Sequence, residues 1–229
     1  MTKWLASIKS LQEAKLLEPV FPDILDIKDP SRGALGALTV AEVADIVSFV
    51  AKRCQTSATI GDLAMEVNVI KPAIIEMASS GVDFVKIGLF PAANLQHCLA
   101  ALADTLHKLK TPVIAVLFAD KPVAKAIWPV LKTVGFQGVM VDTALKNGQH
   151  LLDHWDRLKL QTFVTSIQEQ GLLCGLAGAL RHEDIATLKP LSADYLGFRS
   201  ALCRARHRTA QIELNRVETI SNAIHSLPD

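Results

Sequence analysis

The sequence predicts an α/β chain folded as one (β/α)8 TIM barrel over residues 1–229. Short apolar runs alternate with longer helical patterns along all 229 residues, and eight such runs can be counted. No GxGxxG motif follows the first run, as it would in a dinucleotide-binding doubly wound sheet, the alternative fold with the same alternation. Half the residues are hydrophobic, enough to fill one core of this size, and no linker, low-complexity stretch or composition shift marks a second domain.

Taken in order, Trp4 to Ile8 reads as the first strand and Ser10 to Leu17 as a helix. Ile24 to Lys28 is the second strand. Thr39 to Arg53 follows as a helix, opened by Thr39 with Glu42 three residues on, a capping box. Ala58 to Leu63 is a weak third strand, and Lys71 to Ser80 a helix that Gly81 ends. Phe84 to Leu89 and Ala92 to Leu109 form the fourth pair, Val113 to Phe118 and Lys121 to Val134 the fifth. Gly138 to Asp142 is strand six, with Leu151 to Glu169 mostly helical after it. Leu172 to Leu176 is strand seven, followed by a short helix over His182 to Leu188. Tyr195 to Phe198 is strand eight, and Arg206 to Ser226 the closing helix.

Composition excludes several classes of function. Lys plus Arg is 24 against 23 for Asp plus Glu, so no basic field marks a nucleic-acid partner, and aromatic residues are scarce for base stacking. No run reaches transmembrane length, and MTKWLASIKS lacks a signal-peptide core, so no membrane partner and a cytoplasmic location are expected. The dispersed Cys54, Cys98, Cys174 and Cys203 contain no CxxC pair and read as reduced packing residues. Barrels often self-associate, and the apolar last-helix region leads us to expect a homo-oligomer without assigning its interface.

Chemistry in a barrel collects where strands end. Strand two carries Asp26, Lys28 and Asp29 in DILDIKDPSRGALGAL, strand four Lys86 in VDFVKIGLF, strand five Asp120 and Lys121, and strand six Asp142 in GVMVDTALK, with Lys146 beyond it. Asp26 and Lys28 are two apart and share a strand face. Lys86 would enter the same interior, where burial and a neighbouring ammonium both disfavour the charged form. A lysine that sheds its proton is a nucleophile for a carbonyl and forms a Schiff base. Asp26 and Asp142 would balance charge and move protons. Structural ion pairs are the plain alternative.

Strands seven and eight end in CGLAGALRHED and YLGFRSALC. Gly175, Gly178 and Gly197 would let backbone approach a phosphate, with Arg199 and Ser200 beside them, so a small phosphosugar is the expected partner. Ser31 and Arg32 could hold a second anion or simply shape a turn. His150 and His154 are four apart but lack a third ligand, so they read as partly exposed helix residues and no metal is expected. RSALCRARHR reads as a solvated helix entry with Arg199 alone turned inward.

DIKDPSRGALGA, VKIGLF, VDTALKNG, GLAGAL and GFRSALC, in this order across nearly the whole chain, resemble the (5-formylfuran-3-yl)methyl phosphate synthase family, also called 4-(hydroxymethyl)-2-furancarboxaldehyde-phosphate synthase. The resemblance implies a lyase of methanofuran biosynthesis, a one-carbon pathway. It would condense two glyceraldehyde 3-phosphate molecules into a furan with loss of phosphate and water, without metal or organic cofactor. It implies Lys28 as the Schiff-base lysine, with Asp26, Lys86, Asp142 and Lys146 at the other catalytic positions. A rival is another phosphosugar barrel enzyme, aldolase-like or similar to orotidine-phosphate decarboxylase. The latter would want an acid where Ser31 stands. A non-catalytic barrel is the last alternative, but several ionisable groups at one end are a costly way to build a passive surface.

Overall fold

In a computed structural model that describes residues 2–122, 127–145 and 147–226, eight parallel strands close into a barrel in sequence order, each paired with the next and β8 with β1. The elements are β1 (Lys3–Ile8), α1 (Leu11–Leu16), β2 (Ile24–Ile27), α2 (Val40–Val50), β3 (Gln55–Thr59), α3 (Val67–Ser79), β4 (Phe84–Gly88), α4 (Leu95–Lys108) and β5 (Val113–Phe118). They continue with α5 (Trp128–Val134), β6 (Gly138–Asp142), α6 (Leu151–His154), α7 (Arg157–Gln168), β7 (Leu173–Leu176), α8 (Ile185–Leu188), β8 (Tyr195–Phe198) and α9 (Leu214–Ser226).

Two apolar layers hold this frame. A large outer core joins strands to helices: Trp4, Leu25, Val85, Val139 and Leu196 point outward onto Leu17, Ile46, Leu99, Phe163 and Ile220. A smaller cluster fills the barrel itself, with Leu5, Ile24, Ile114, Val116, Phe118, Met140 and Tyr195. A barrel core is packed by such layers rather than left as a pore. The Tyr195 ring lies so close to Gly175 that a Cβ there would fall 2.3 Å from ring carbons. Gly175 is therefore a packing glycine inside the barrel.

The expected capping box closes α2: Glu42 N–H donates to Thr39 Oγ1 at 3.3 Å and Thr39 N–H to Glu42 Oε2 at 2.9 Å. Four expectations need correction. β3 begins at Gln55, not Ala58, because its polar Ser57 faces Asp26 inside the barrel, where a buried carboxylate wants a hydroxyl donor. α3 begins at Val67 and carries Pro72 internally; buried Ile70, Ile74 and Met77 on one face outweigh the hydrogen bond that Pro72 lacks. The span Leu151 to Glu169 breaks at Trp155 into α6 and α7, with Asp156 capping the second through Lys159 N–H. The closing helix starts at Leu214, since residues 199–212 form a loop tied into the barrel mouth. Part of the expected fifth helix, at residues 123–126, lies outside the described residues.

The four cysteines are free, and burial pushes their thiols up, Cys54 to about 11, so none is primed as a thiolate. Among the described residues, no helix is long and apolar enough to cross a membrane, and no cluster of three or more His, Cys, Asp or Glu is placed to hold a metal.

Candidate active site

The C-terminal mouth opens over only part of the barrel. On the β4–β5 side Leu35 folds in from the loop after β2, and Phe90 stacks on Phe118 with centroids 4.6 Å apart. Gly88 permits this approach, since a Cβ there would lie 2.8 Å from the Phe90 ring and 2.9 Å from Leu35. The remaining opening, over β6, β7, β8, β1 and β2, is a cleft of about 570 Å³, within the ordinary range for a small-molecule site.

At its floor the strand pattern brings four charges into line. Ser7, Asp26 and Ser57 lie in one register row across β1, β2 and β3. Asp26 is fully buried and accepts from Ser7 Oγ at 2.8 Å and Ser57 Oγ at 2.7 Å. Lys86 Nζ stands 2.5 Å from Asp26 Oδ1. Lys28 Nζ sits between the two acids, 3.8 Å from Asp26 Oδ2 and 3.6 Å from Asp142 Oδ2. The order is Lys86, Asp26, Lys28, Asp142, alternating in sign.

Burial works to raise the Asp26 pKa, but the Lys86 and Lys28 charges, with hydrogen bonds from Lys86 and Ser57, outweigh it and hold the carboxyl below its ordinary value. For Lys86 the balance reverses. Complete burial pulls it down, Lys28 adds repulsion, and the Asp26 carboxylate opposes both without cancelling them.

Only part of the chain reaches the cleft. Lys28 and Asp142 line it, whereas Lys86 lies beneath Asp26 and reaches the opening only through that carboxylate. Lys146 lies outside the described residues. Asp120 is a structural acid, taking the N–H groups of Ala144 and Leu145 at 2.8 and 2.6 Å.

Among the expected phosphate residues, Gly178, Gly197, Arg199 and Ser200 line the cleft. Gly178 has φ +113 and its Cβ would meet Thr143 at 3.0 Å, so only glycine fits there comfortably. Gly175 is corrected: it sits under Tyr195, away from the opening.

Arg199 is corrected as well. Its guanidinium does not offer a free fork, because it is bidentate on Glu13 (2.6 and 3.0 Å) and donates to the carbonyls of Ser7, Arg208 and Ala210. A buried guanidinium takes a carboxylate in preference to standing unpaired.

The cations of this loop region facing the cleft are instead Arg181, Arg206 and Arg208, with the His207 ring beside them. Arg208 Nη2 bonds to Gly33 O at 2.8 Å, tying the loop after β8 to the loop after β2. RSALCRARHR is therefore part of the mouth and not only a solvated entry. The loop signal was available, since the run directly follows the last strand.

Asp29 is consumed by its own turn. It accepts from Ser31 N and Oγ and pairs with Arg32 at 3.2 Å, so Ser31 and Arg32 shape the loop. His150 is buried, not partly exposed, with Nδ1 3.0 Å from Asp184 Oδ2.

Comparison with known proteins places the chain in a family. Residues 4–221 match the family described as 4-HFC-P synthase. A Methylorubrum extorquens protein provisionally named as a (5-formylfuran-3-yl)methyl phosphate synthase is 39% identical over 98% of this chain and 92% of its own. The (5-formylfuran-3-yl)methyl phosphate synthase of Methanocaldococcus jannaschii is 31% identical over 89% of this chain and 91% of its own. Among solved structures, the fold is similar to phosphoribosyl anthranilate isomerase of Thermotoga maritima (TM-score 0.68, 12% identity, 99% of this chain and 100% of that one). It is also similar to 3-hexulose-6-phosphate synthase (TM-score 0.66, 15% identity, 97% and 100%). At these identities the structural likeness concerns the fold alone.

Proposed function

This chain belongs to the 4-HFC-P synthase family, and from that premise we propose that it is a lyase making (5-formylfuran-3-yl)methyl phosphate for methanofuran biosynthesis, with Lys28 as a Schiff-base nucleophile. The observation that carries the reading is Lys28 at the cleft floor, flanked by two carboxylates within 4 Å. The substrate is two molecules of glyceraldehyde 3-phosphate. Atom balance then requires loss of one phosphate and two waters in all.

Lys28 Nζ adds to the carbonyl carbon of the first triose phosphate, taken as its ketone isomer, and water leaves. One ammonium proton passes first to Asp142, freeing the amine to attack, and two of the three N–H protons leave on the carbonyl oxygen as that water. The iminium draws electrons from the adjacent carbon, whose proton passes to Asp142, the acid that faces the cleft. Asp26 is held by two serines and Lys86 and rests as the carboxylate between proton transfers. It is the positioning partner of Lys28, and Lys86, pulled toward its neutral form, stores and returns a proton through it.

The resulting enamine carbon attacks the aldehyde of the second triose. Lys146 is assigned to the developing alkoxide or the leaving phosphate. Lys28 is released as ring closure and elimination complete the furan. Substrate phosphates rest on backbone at Gly178, Gly197 and Ser200, with Arg206 and Arg208 supplying charge and His207 a ring N–H.

Two assays test the reading. Incubation with glyceraldehyde 3-phosphate alone is expected to give a near-ultraviolet chromophore of a conjugated furan aldehyde, with one phosphate released per ring. Chromophore without phosphate, or neither, would overturn it.

Glu13 supplies a further expectation. It holds Arg199, which holds the carbonyls of Arg208 and Ala210. Glu13→Gln should let the loop drift and raise KM about ten- to a hundredfold with a small effect on kcat. A fall in kcat at constant KM would contradict the positioning role.

A further inference from the structure

Beneath the charged row lies a second cavity at the opposite end of the barrel. It is a cleft of about 110 Å³ whose lining includes Lys3, Ile24, Gln55, Phe84, Leu173 and Tyr195. Each of these is the first residue of its strand, which places the cleft at the N-terminal end. The lining runs inward from exposed Lys3 and Leu173, the latter 38% exposed, to Ser57 and Lys86 at its apex, both shut off from the surface. None of the catalytic geometry at the mouth uses this opening.

Lys86 is the feature that gives the cleft a role. Lys86 is 1% exposed, and among the described residues its ammonium makes one ion pair, with Asp26. Asp26 engages one donor of Nζ, and among the described residues no other hydrogen-bond partner is placed for it. An ammonium has three donors, and leaving the other two unmet in an apolar barrel is costly. The cleft beside it has room for a few waters at about 30 Å³ each, with Ser57, Gln55 and Tyr195 as polar partners along its length. Asp26 and the more distant Lys28 and Asp142 face Lys86 from the mouth side. Lys3, Asp194 and Tyr195 face it from below, and burial keeps the Tyr195 hydroxyl protonated.

We propose that this basal cleft is a water-binding entry through which Lys86 exchanges protons with solvent from the face opposite the substrate mouth. The proton leaves the Lys86 ammonium for a water and returns by the same path, while substrate closes the other end. This use of the proton rests on the function proposed above; the access itself does not.

The test is therefore made on access, without turnover. Reductive methylation with formaldehyde and cyanoborohydride is followed at Lys86 and Lys28 by peptide mass spectrometry. The reagent is small and reacts only with the neutral amine. Gly175 faces into the barrel against Tyr195, and Leu173, two residues earlier on the same strand, shares its side.

Leu173→Trp should plug the entry and slow methylation at Lys86 about tenfold or more, leaving only rare local opening, while Lys28 is labelled at its usual rate. Leu173→Ala should widen the entry and speed Lys86 alone. An unchanged Lys28 rate shows that the variants are folded. Lys86 rates that ignore both substitutions, that move in step with Lys28, or that are zero in the parent protein would each overturn the proposal. Loss of furan synthesis with this labelling pattern intact would instead count against the assigned function.

Discussion

Lys28→Ala is expected to lower turnover of glyceraldehyde 3-phosphate by about 10⁴-fold or more, the scale seen when a covalent nucleophile is removed, while the barrel stays folded. The fold should survive because Lys28 lines the open cleft and its neighbours keep other partners. Asp26 retains Ser7, Ser57 and Lys86, and Asp142 retains the Thr143 N–H at 2.7 Å. Circular dichroism and furan chromophore formation, measured on one preparation, separate the two effects. A variant that kept more than a tenth of its turnover would remove Lys28 from covalent chemistry.

Asp26→Asn has the second largest expected effect, and it acts on stability first. The substitution leaves Lys86 buried without its counter-charge, which typically costs about 3–5 kcal/mol. That is a large share of the ~5–15 kcal/mol by which a domain is stable. Turnover should fall as well, since Lys28 loses one of the two acids that position it. The double variant Asp26→Asn with Lys86→Met should regain much of the lost stability, because no unpaired charge remains, but not the activity. Urea unfolding and turnover of the three variants read this directly. If the double variant were as unstable as the single one, the Lys86–Asp26 pair would not be the source of the loss.

The sign of the pH dependence follows from the same pair. The Asp26 carboxyl is held below its ordinary 3.8 in the fold. Its stabilisation is fully present above that value and is lost as pH falls through the lower folded one. Parent protein should therefore lose stability below pH ~4 more steeply than Asp26→Asn. The Lys86 amine works the other way. Its folded value lies below 10.5, so its penalty is largest when it is charged in both states and is relieved as pH rises toward 10.5.

Much of this site is legible in the sequence because it breaks local rules. A lysine and an acid two apart in an apolar strand have no reason to be there except the barrel interior, and that is where Asp26 and Lys28 lie. Lys86 stands out in the same way between Val85 and Ile87, although its position below Asp26 depends on which rung of β4 it occupies, and strand pattern does not give height along the axis.

What sequence reasoning missed obeys local rules. Glu13 follows Ser10 by three and accepts the Lys9 N–H, so it reads as part of an ordinary helix cap. Its second role, holding Arg199, joins residues 186 apart in the chain. Arg208 sits in a run of basic residues that looks solvated until the loop folds across the mouth. Gly175 and Gly178 look equivalent in CGLAGAL, yet one packs under a ring and the other lines the cleft. Only the ring of Tyr195, from the next strand, separates them.

The covalent role of Lys28 is the claim on which the mechanism turns. The direct measurement is borohydride reduction during incubation with glyceraldehyde 3-phosphate, followed by mass spectrometry of the peptide that holds DILDIKDPSR. A reduced triose-phosphate adduct on Lys28, absent without substrate and absent in Lys28→Ala, is the predicted result. An adduct confined to another lysine, or no adduct while the furan still forms, would contradict it.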